Sequence, residues 1–178
     1  MNKPYISRVV IENFRNFRAV DIQLNPKQVV FGENESGKTN YLAALQLILD
    51  PSLSDEERTL QISDFNESIV DPIGTQSEII IALYFSGFEE SKTILAQLSD
   101  AVIKVDGRLY LRITYRFFPE ILEDGSIDYH YSIFKGNDPD NLFGSKDRRF
   151  LQLKVIRPLR DVEYELRNRR TSPLARLI

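Results

Sequence analysis

The segment at residues 32–39 constrains this chain more than any other. It reads Gly-Glu-Asn-Glu-Ser-Gly-Lys-Thr, which matches every fixed position of the G-x-x-x-x-G-K-[ST] phosphate-binding loop. Such a loop needs a strand before it and a helix behind it, because only that context aims successive backbone N–H groups at one anion. Residues 28–31 are β-branched and aromatic and predict the strand, whereas residues 38–49 carry helical apolar spacing that Asp50 and Pro51 end. The sequence therefore predicts a nucleoside triphosphate site.

The residue types in the loop indicate how it would hold phosphate. Gly32 and Gly37 let the backbone curl and approach an anion, and the new helix adds unpaired N–H groups and its positive dipole end. Lys38 supplies a mobile cation for the β- and γ-phosphates, and the Thr39 hydroxyl is a predicted ligand of Mg²⁺. The predicted ATP-contacting residues of this segment are Gly32, Glu33, Asn34, Glu35, Ser36, Gly37, Lys38, Thr39 and Asn40.

Composition excludes several other classes of protein. At 178 residues and 42% apolar content, the chain is long enough for one globular domain with a real core. No apolar run reaches the roughly 20 residues that a membrane span needs, and the first residues do not resemble a signal peptide. With no cysteine, the chain has no disulfide, thiolate zinc site or cysteine nucleophile, which fits a cytoplasmic location.

The net charge of −3 hides a basic end. Residues 146–178 hold ten Lys or Arg against four Asp or Glu, a local charge of +6. Such a stretch is either the solvated face of an Arg-rich helix, which is the commoner case, or a patch that binds nucleic acid. If Arg160, Arg167 and Arg170, together with the intervening Arg169, contact phosphates, DNA affinity should fall steeply with added salt.

The pattern along the chain predicts a β-rich lobe around the loop and its helix. Two strands, at residues 5–13 and 19–24, precede the loop. A polar linker is expected through residues 54–58 and 71–74, followed by a buried strand at 77–85. The later predicted elements are a helix carrying Ile94, Leu95, Leu98 and Val102, a hairpin turn at Asp106 and Gly107, strands at 109–117, 127–133 and 150–156, and Arg-rich helices after Pro158.

Two stretches resemble a known group of ATPases. Residues 11–17, which read Ile-Glu-Asn-Phe-Arg-Asn-Phe, and the loop with its following helix are similar to the amino end of the RecF, SMC and OLD (overcoming lysogenization defect) group of ABC-type ATPases. The later runs 155–161 and 165–174 look more like OLD-family nucleases, including the ATPase subunits of antiphage systems such as Gabija. Glu35 stands where RecF and SMC loops commonly carry Gly, which also favours the OLD family.

The resemblance implies a mixed α/β fold, an incomplete ABC-type P-loop ATPase head. In this fold an antiparallel β-lobe packs against a mixed sheet and the P-loop helix, and residues 1–178 are the amino-terminal part of one such domain. It further implies ATP and Mg²⁺ as cofactors, an ATP site completed across a homodimer, DNA as a partner, and a Toprim nuclease domain elsewhere in a longer protein. Arg15 and Asn16 would lie near the nucleotide, and Asp161, with Gln152 as a weaker choice, is a candidate on the metal side.

Parts needed for hydrolysis are missing from the sequence. It contains no apolar run ending in Asp-Glu, no Leu-Ser-Gly-Gly signature and no switch histidine; residues 69–71 and 105–106 are poor substitutes for the first of these. His130, the single histidine, reads as structural or exposed rather than catalytic. We therefore expect these residues to bind ATP without completing its hydrolysis. The alternatives are a RecF- or SMC-like DNA repair or chromosome ATPase, and a nucleotide switch that only holds a conformation together.

Overall fold

An antiparallel sheet with helices on one face forms the part of the chain that the computed structural model describes, residues 4–33, 36–153 and 155. The strands are β1 (Tyr5–Phe14), β2 (Phe17–Gln23), β3 (Ile79–Ser86), β4 (Val102–Val105), β5 (Arg108–Ile121) and β6 (Ile127–Lys135). The helices are α1 (Lys38–Leu49), α2 (Asp55–Arg58), α3 (Lys92–Leu98) and α4 (Ser145–Arg148), with short 3₁₀ turns at Ile62–Asp64 and Ser99–Ala101.

The sheet is built around its longest strand, β5. Its strand order is β2-β1-β3-β5-β4, and β6 also pairs with β5, beyond the end of the short β4. Every pairing is antiparallel, as expected for the β-lobe of an ABC-type head. The mixed sheet of such a head does not occur within the described ranges.

The core lies on one face of the sheet because the strands alternate. Val9 on β1, Leu83 on β3 and Ile113 on β5 are fully buried on this face. The P-loop helix α1 packs there through the buried side chains of Ala44, Leu45, Leu47, Ile48 and Leu49. Burying a side chain such as Ile48 contributes roughly 1.5–3 kcal/mol, so the sheet holds this helix firmly in place.

Most predicted elements are confirmed. β1, β2, β3 and the two strands of the β5–β6 hairpin lie where the alternation placed them, and α1 has the predicted bounds. The turn at Asp106 and Gly107 joins β4 to β5, with positive φ at both residues. The apolar spacing of α1 predicts one apolar face, formed by Tyr41, Leu42, Leu45, Ile48 and Leu49. The last three are buried, whereas Tyr41 and Leu42 are only partly buried.

The strand predicted at residues 28–31 is wrong for the described structure. An extended segment becomes a strand only by exchanging backbone hydrogen bonds with a neighbour, and no described strand pairs with this one. Val29, Val30 and Phe31 consequently stay 84%, 56% and 89% exposed. The local pattern indicated an apolar strand, but a partner strand decides whether one forms.

Two smaller predictions also need correction. Val102 begins β4 instead of continuing α3, because it pairs with Leu111. The described part of the strand predicted at 150–156 is irregular, since the amides of Phe150 and Leu151 donate to the carbonyls of Asp147 and Arg148 in α4 instead of to a neighbouring strand. The predicted helices after Pro158 lie outside the described residues.

The predicted linker after α1 is partly structured. Ser54 and Glu57 form a capping box that begins α2, a four-residue signal present in the sequence. Leu60 and Phe65 are buried in the core, and Phe65 bridges to Phe14 at the end of β1. This segment therefore brings polar side chains of the Ile62–Asp64 turn next to the P-loop.

Candidate nucleotide-binding site

The N-terminal end of α1 presents backbone donors without partners. The amides of Gly37, Lys38, Thr39 and Asn40 donate no hydrogen bond to a described residue, and Tyr41 is the first whose amide does, to the Gly37 carbonyl at 2.8 Å. No side chain of a described residue caps this end, and no acidic residue lies in its first turn. Unpaired N–H groups and the positive end of the helix dipole thus converge at one point, which suits an anion.

Lys38 lies across the phosphate-binding loop. Its ammonium group donates to the carbonyl oxygens of Gly32 at 2.7 Å and Glu33 at 2.5 Å, and lies 3.4 Å from the Ser36 hydroxyl. Among the described residues, the acceptors that hold the cation over the start of the loop are all neutral. Its charge remains available to an anion bound at the helix end.

Gly37 is required for two separate reasons. Its φ of 93° and ψ of 4° lie in the left-handed region, which strains any residue with a side chain. A Cβ here would also come within 2.2 Å of Nδ2 of Asn16, so the Asn16 side chain would have to move away from the loop. The loop backbone therefore passes directly against the turn between β1 and β2.

That turn carries both of the predicted upstream residues. Asn40 on α1 donates from Nδ2 to Oδ1 of Asn16 at 2.8 Å and accepts at Oδ1 from Nη1 of Arg15 at 3.1 Å. Arg15 and Asn16 thus meet the first turn of α1. Their contact with a nucleotide remains a prediction.

Asp64 is a site residue that the sequence interpretation missed. Its carboxylate accepts from Nε of Arg15 at 2.9 Å, and its carbonyl accepts from the Arg15 amide at 2.8 Å. Asn66 makes a third hydrogen bond to Arg15, from its Nδ2 to the Arg15 carbonyl at 2.6 Å. Arg15 has a φ of 49°, so these contacts fix it in a left-handed conformation that costs a non-glycine residue roughly 1 kcal/mol.

The other predicted ligands fall into three groups. Thr39 is exposed at the helix start and makes no hydrogen bond to a described residue, so its hydroxyl could reach a cation. Asn34, Glu35 and Asp161 lie outside the described residues. Gln152 lines a cleft with Pro51 beyond the C-terminal end of α1, and a 12-residue helix is about 18 Å long, so the structure does not bring it to Thr39.

His130 lies far from this chemistry on β6. Its ring stacks on Phe118 at 5.5 Å, and its Nε2 lies 3.2 Å from Asp128 and 3.5 Å from Glu120 on the sheet surface. These contacts agree with a structural, exposed histidine.

An apolar cleft opens beside the loop. It has a volume of about 320 Å³ and lies between β2, residues 28–31 and the start of α1, with Phe17, Val30 and Tyr41 in its walls beside Lys38. Burial raises the pKa of Tyr41, which keeps that wall uncharged. The cleft adjoins the anion-binding end of α1 with a surface suited to an apolar group.

Comparisons with known proteins agree with this geometry. A family model described as an AAA ATPase domain matches residues 5–166. The chain belongs to this family. Over 88 residues, or 48% of the chain, it is 39% identical to "Endonuclease GajA" of Bacillus cereus, of which the match covers 14%.

RecF proteins are also similar to this AAA ATPase domain. "DNA replication and repair protein RecF" of Mesorhizobium japonicum is 49% identical over 47 residues, which are 26% of the chain and 12% of that protein. The RecF protein of a Synechococcus strain is 30% identical over 119 residues, 61% of the chain and 27% of that protein. The chain thus matches about a quarter or less of the length of these relatives.

A solved structure from work on ATP-driven dimerization and DNA-stimulated activation of SMC ATPases superposes with a TM-score of 0.46 at 14% identity, covering 97% of this chain and 95% of that one. Among the described helices, none is long and apolar enough to cross a membrane.

Proposed function

We propose that this chain is the ATP-binding, amino-terminal part of the ATPase domain of an OLD-family nuclease. ATP binding and hydrolysis in the complete protein would regulate DNA processing by a Toprim site, in the setting of antiphage defence. The observation that carries the ATP-binding part is the uncapped N-terminal end of α1, with four amides free of described partners and Lys38 beside them.

The residues present fit ATP and Mg²⁺. The amides of residues 37–40 and the Lys38 ammonium would hold the phosphates, and the Thr39 hydroxyl would supply one ligand to Mg²⁺. Bound Mg²⁺ neutralises phosphate charge, which is its usual part in phosphoryl transfer. Arg15, oriented by Asp64 and Asn40, would sit at the edge of the phosphates as a fixed positive charge.

The preference for the OLD family rests on the relatives. The GajA match is 39% identical over 88 residues, whereas one RecF match is 49% identical over 47 residues and another is only 30% identical over 119 residues. A RecF- or SMC-like DNA repair or chromosome ATPase is the second candidate, and the similarity to RecF proteins favours it over any other class. The sequence downstream separates them: an acidic Toprim cluster supports the first, and long heptad repeats support an SMC-like protein.

We also propose that residues 1–178 form only part of the ATPase head. Residues 29–31 present exposed apolar side chains on a segment that no described strand pairs with, as expected for a strand whose neighbours come from elsewhere in the domain. The carboxylate that positions the attacking water and the signature of a partner head would come from outside these residues. ATP would then hold two heads together as a homodimer.

The first prediction concerns Lys38. Replacing Lys38 by Ala should weaken Mg-ATP binding by at least about tenfold, because it removes a charge-assisted contact worth roughly 1.5–3 kcal/mol. The free energy of unfolding should barely change, since Lys38 contacts only loop atoms. Isothermal titration calorimetry on the full chain measures the first quantity and urea unfolding the second.

The exposed Lys104 on β4 provides the matched control. Lys104→Ala removes the same charge from a strand on the opposite side of β5 from β3 and should leave the ATP affinity unchanged. Equal affinity in wild type and Lys38→Ala would overturn the assignment of the site.

The second prediction concerns DNA and the basic end of the chain. If the arginines of residues 146–178 contact backbone phosphates, the logarithm of the DNA affinity should fall linearly with the logarithm of salt concentration. Fluorescence anisotropy with a labelled duplex at four salt concentrations gives the slope. An affinity independent of salt would leave these arginines as a solvated surface.

The nucleotide-switch alternative has its own test. A complete protein that binds ATP and dimerises without ever hydrolysing ATP would favour the simple nucleotide switch.

A further inference from the structure

Two nearly buried arginines lie at the C-terminal end of α1, opposite the phosphate-binding loop. Arg58 is 1% exposed and donates from Nη1 to the Leu47 carbonyl at 3.1 Å and from Nη2 to the Asp50 carbonyl. Arg148 is 9% exposed and donates from Nε to the Ile48 carbonyl at 3.1 Å. Both guanidinium groups therefore face backbone carbonyls at the negative end of the helix dipole.

Neither guanidinium group forms a salt bridge with an acid of the described residues. No carboxylate oxygen of a described residue lies within 4.0 Å of either guanidinium group. The Nε of Arg58 is buried without a hydrogen-bond partner among described residues. Buried charges are ordinarily paired, because desolvation otherwise costs several kcal/mol per ion.

Both residues line a cleft of about 590 Å³ together with the exposed Arg149, and we call it the arginine cleft. Arg148 uses only Nε on a described acceptor, so both of its Nη groups remain available at the wall of the cleft. The Ser145 hydroxyl lies in the same wall and makes no hydrogen bond to a described residue. One acid, Asp55, also lines the cleft and accepts from the Tyr131 hydroxyl at 2.8 Å.

The charge balance of the arginine cleft favours an anion. Among the residues that line the cleft, three guanidinium groups accompany one carboxylate. Burial, and then the proximity of Arg58, lowers the pKa of Arg148. Burial and the hydrogen bond to Asp55 raise the pKa of Tyr131 to about 12, so the tyrosine stays neutral and engages the carboxylate.

We propose that the arginine cleft is an oxyanion site for a phosphate-type group, separate from the phosphate-binding loop. A tetrahedral oxyanion offers enough acceptors for both Nη groups of Arg148, the Arg149 guanidinium and the Ser145 hydroxyl, whereas a carboxylate has only two oxygens. Free phosphate, the phosphates of a nucleotide and the backbone of a nucleic acid share this chemistry. Because the two sites lie at the two ends of α1, about 18 Å apart, one anion cannot occupy both.

The test uses inorganic phosphate and the full chain carrying Lys38→Ala, which weakens the loop site. Arginine Nε–H resonances in ¹H–¹⁵N spectra are followed during the titration, with chloride keeping the ionic strength constant. We expect a saturable shift of the Arg148 signal and of the Ser145 amide. An Arg148→Gln variant should bind phosphate at least about tenfold more weakly, because it loses a bidentate, charge-assisted contact.

Arg108→Gln is the matched control, because Arg108 is an exposed arginine at the start of β5 and should bind phosphate as before. If Arg148→Gln fails to fold, the double variant Arg149→Gln with Ser145→Ala keeps the test open and should bind at least about threefold more weakly. The proposal is overturned if phosphate causes no shift beyond that of chloride, or if these variants bind as tightly as the parent chain.

A second titration identifies the source of the phosphate group. A short single-stranded oligonucleotide that shifts the same signals at much lower concentration, with a steep salt dependence, assigns the site to nucleic acid. Shifts produced by free phosphate or ADP but not by the oligonucleotide assign it to a small molecule. Both results support the oxyanion site.

Discussion

The two ends of α1 differ in whether the rest of the protein satisfies their backbone hydrogen-bonding groups. At the N-terminal end, the amides of residues 37–40 have no described acceptor and no side-chain cap. At the C-terminal end, all four carbonyls of residues 47–50 accept a hydrogen bond from elsewhere in the chain. Their donors are Arg58 for Leu47 and Asp50, Arg148 for Ile48, and the Leu153 amide for Leu49.

The C-terminal end of α1 therefore anchors the helix to the core, whereas the N-terminal end is available to bind a nucleotide. A helix normally leaves about four donors and four acceptors unsatisfied at its ends. Here the acceptors are satisfied by tertiary contacts that fix the helix against the core, whereas the donors remain available to a ligand. Substitutions at the C-terminal end should therefore reduce stability, and substitutions at the N-terminal end should mainly reduce nucleotide affinity.

The largest expected effect on stability is that of Arg58→Ala. It leaves the carbonyls of Leu47 and Asp50 without donors, each at about 1–3 kcal/mol, and removes the desolvation cost of one buried cation. We expect the free energy of unfolding to fall by about 3 kcal/mol in urea titrations. The exposed Arg149→Ala should change it by less than about 0.5 kcal/mol. If both variants are equally stable, the C-terminal end of α1 is not anchored as described.

Gly37→Ala should have a smaller effect on stability and a large one on binding. The left-handed φ of 93° costs an alanine about 1–2 kcal/mol, and the Cβ would displace Asn16 from the loop. Gly107→Ala separates these two contributions, because Gly107 also has a positive φ of 81° but has nothing within 4 Å of the added Cβ. Both variants should lose similar stability, and only Gly37→Ala should lose Mg-ATP affinity in calorimetric titrations. Loss of affinity in both would attribute the effect to general destabilisation.

Asn40→Ala should have the smallest effect on stability. Asn40 is partly exposed, and its contacts to Asn16 and Arg15 are worth about 1 kcal/mol or less against the gain in helix propensity. Affinity for Mg-ATP should fall about threefold to tenfold, because Arg15 loses the hydrogen bond from its Nη1 to Oδ1 of Asn40 that helps to orient it. Gln46→Ala, near the opposite end of the same helix, removes a side-chain contact to Asp50 and should leave the affinity unchanged. A loss of affinity as large in Gln46→Ala would contradict the division between the two ends.

The parts of the site that are local in sequence could be predicted. The loop and α1 follow from spacing within about twenty residues, and glycine at position 37 follows from the motif itself. The placement of Arg15 and Asn16 beside the loop came from a resemblance and not from any local signal.

The contacts that complete the site and anchor the helix span long stretches of sequence and could not be predicted. Asp64 holds Arg15 across 49 positions, and Arg148 reaches Ile48 across 100. In the sequence, Arg58 and Arg148 sit among other charged residues and resemble a solvated surface, yet folding buries both. Residues 28–31 fail for a related reason. Their local pattern is typical of a strand, but no described strand pairs with them, so no strand forms in the described structure.

One exposed apolar segment affects how the protein can be handled. It consists of Val29, Val30 and Phe31. Three consecutive water-facing apolar side chains, on a segment that no described strand pairs with, offer a template to which other chains can add. Solutions of residues 1–178 alone should become turbid as the protein concentration rises. A charged replacement such as Val29→Lys should raise the concentration at which turbidity appears.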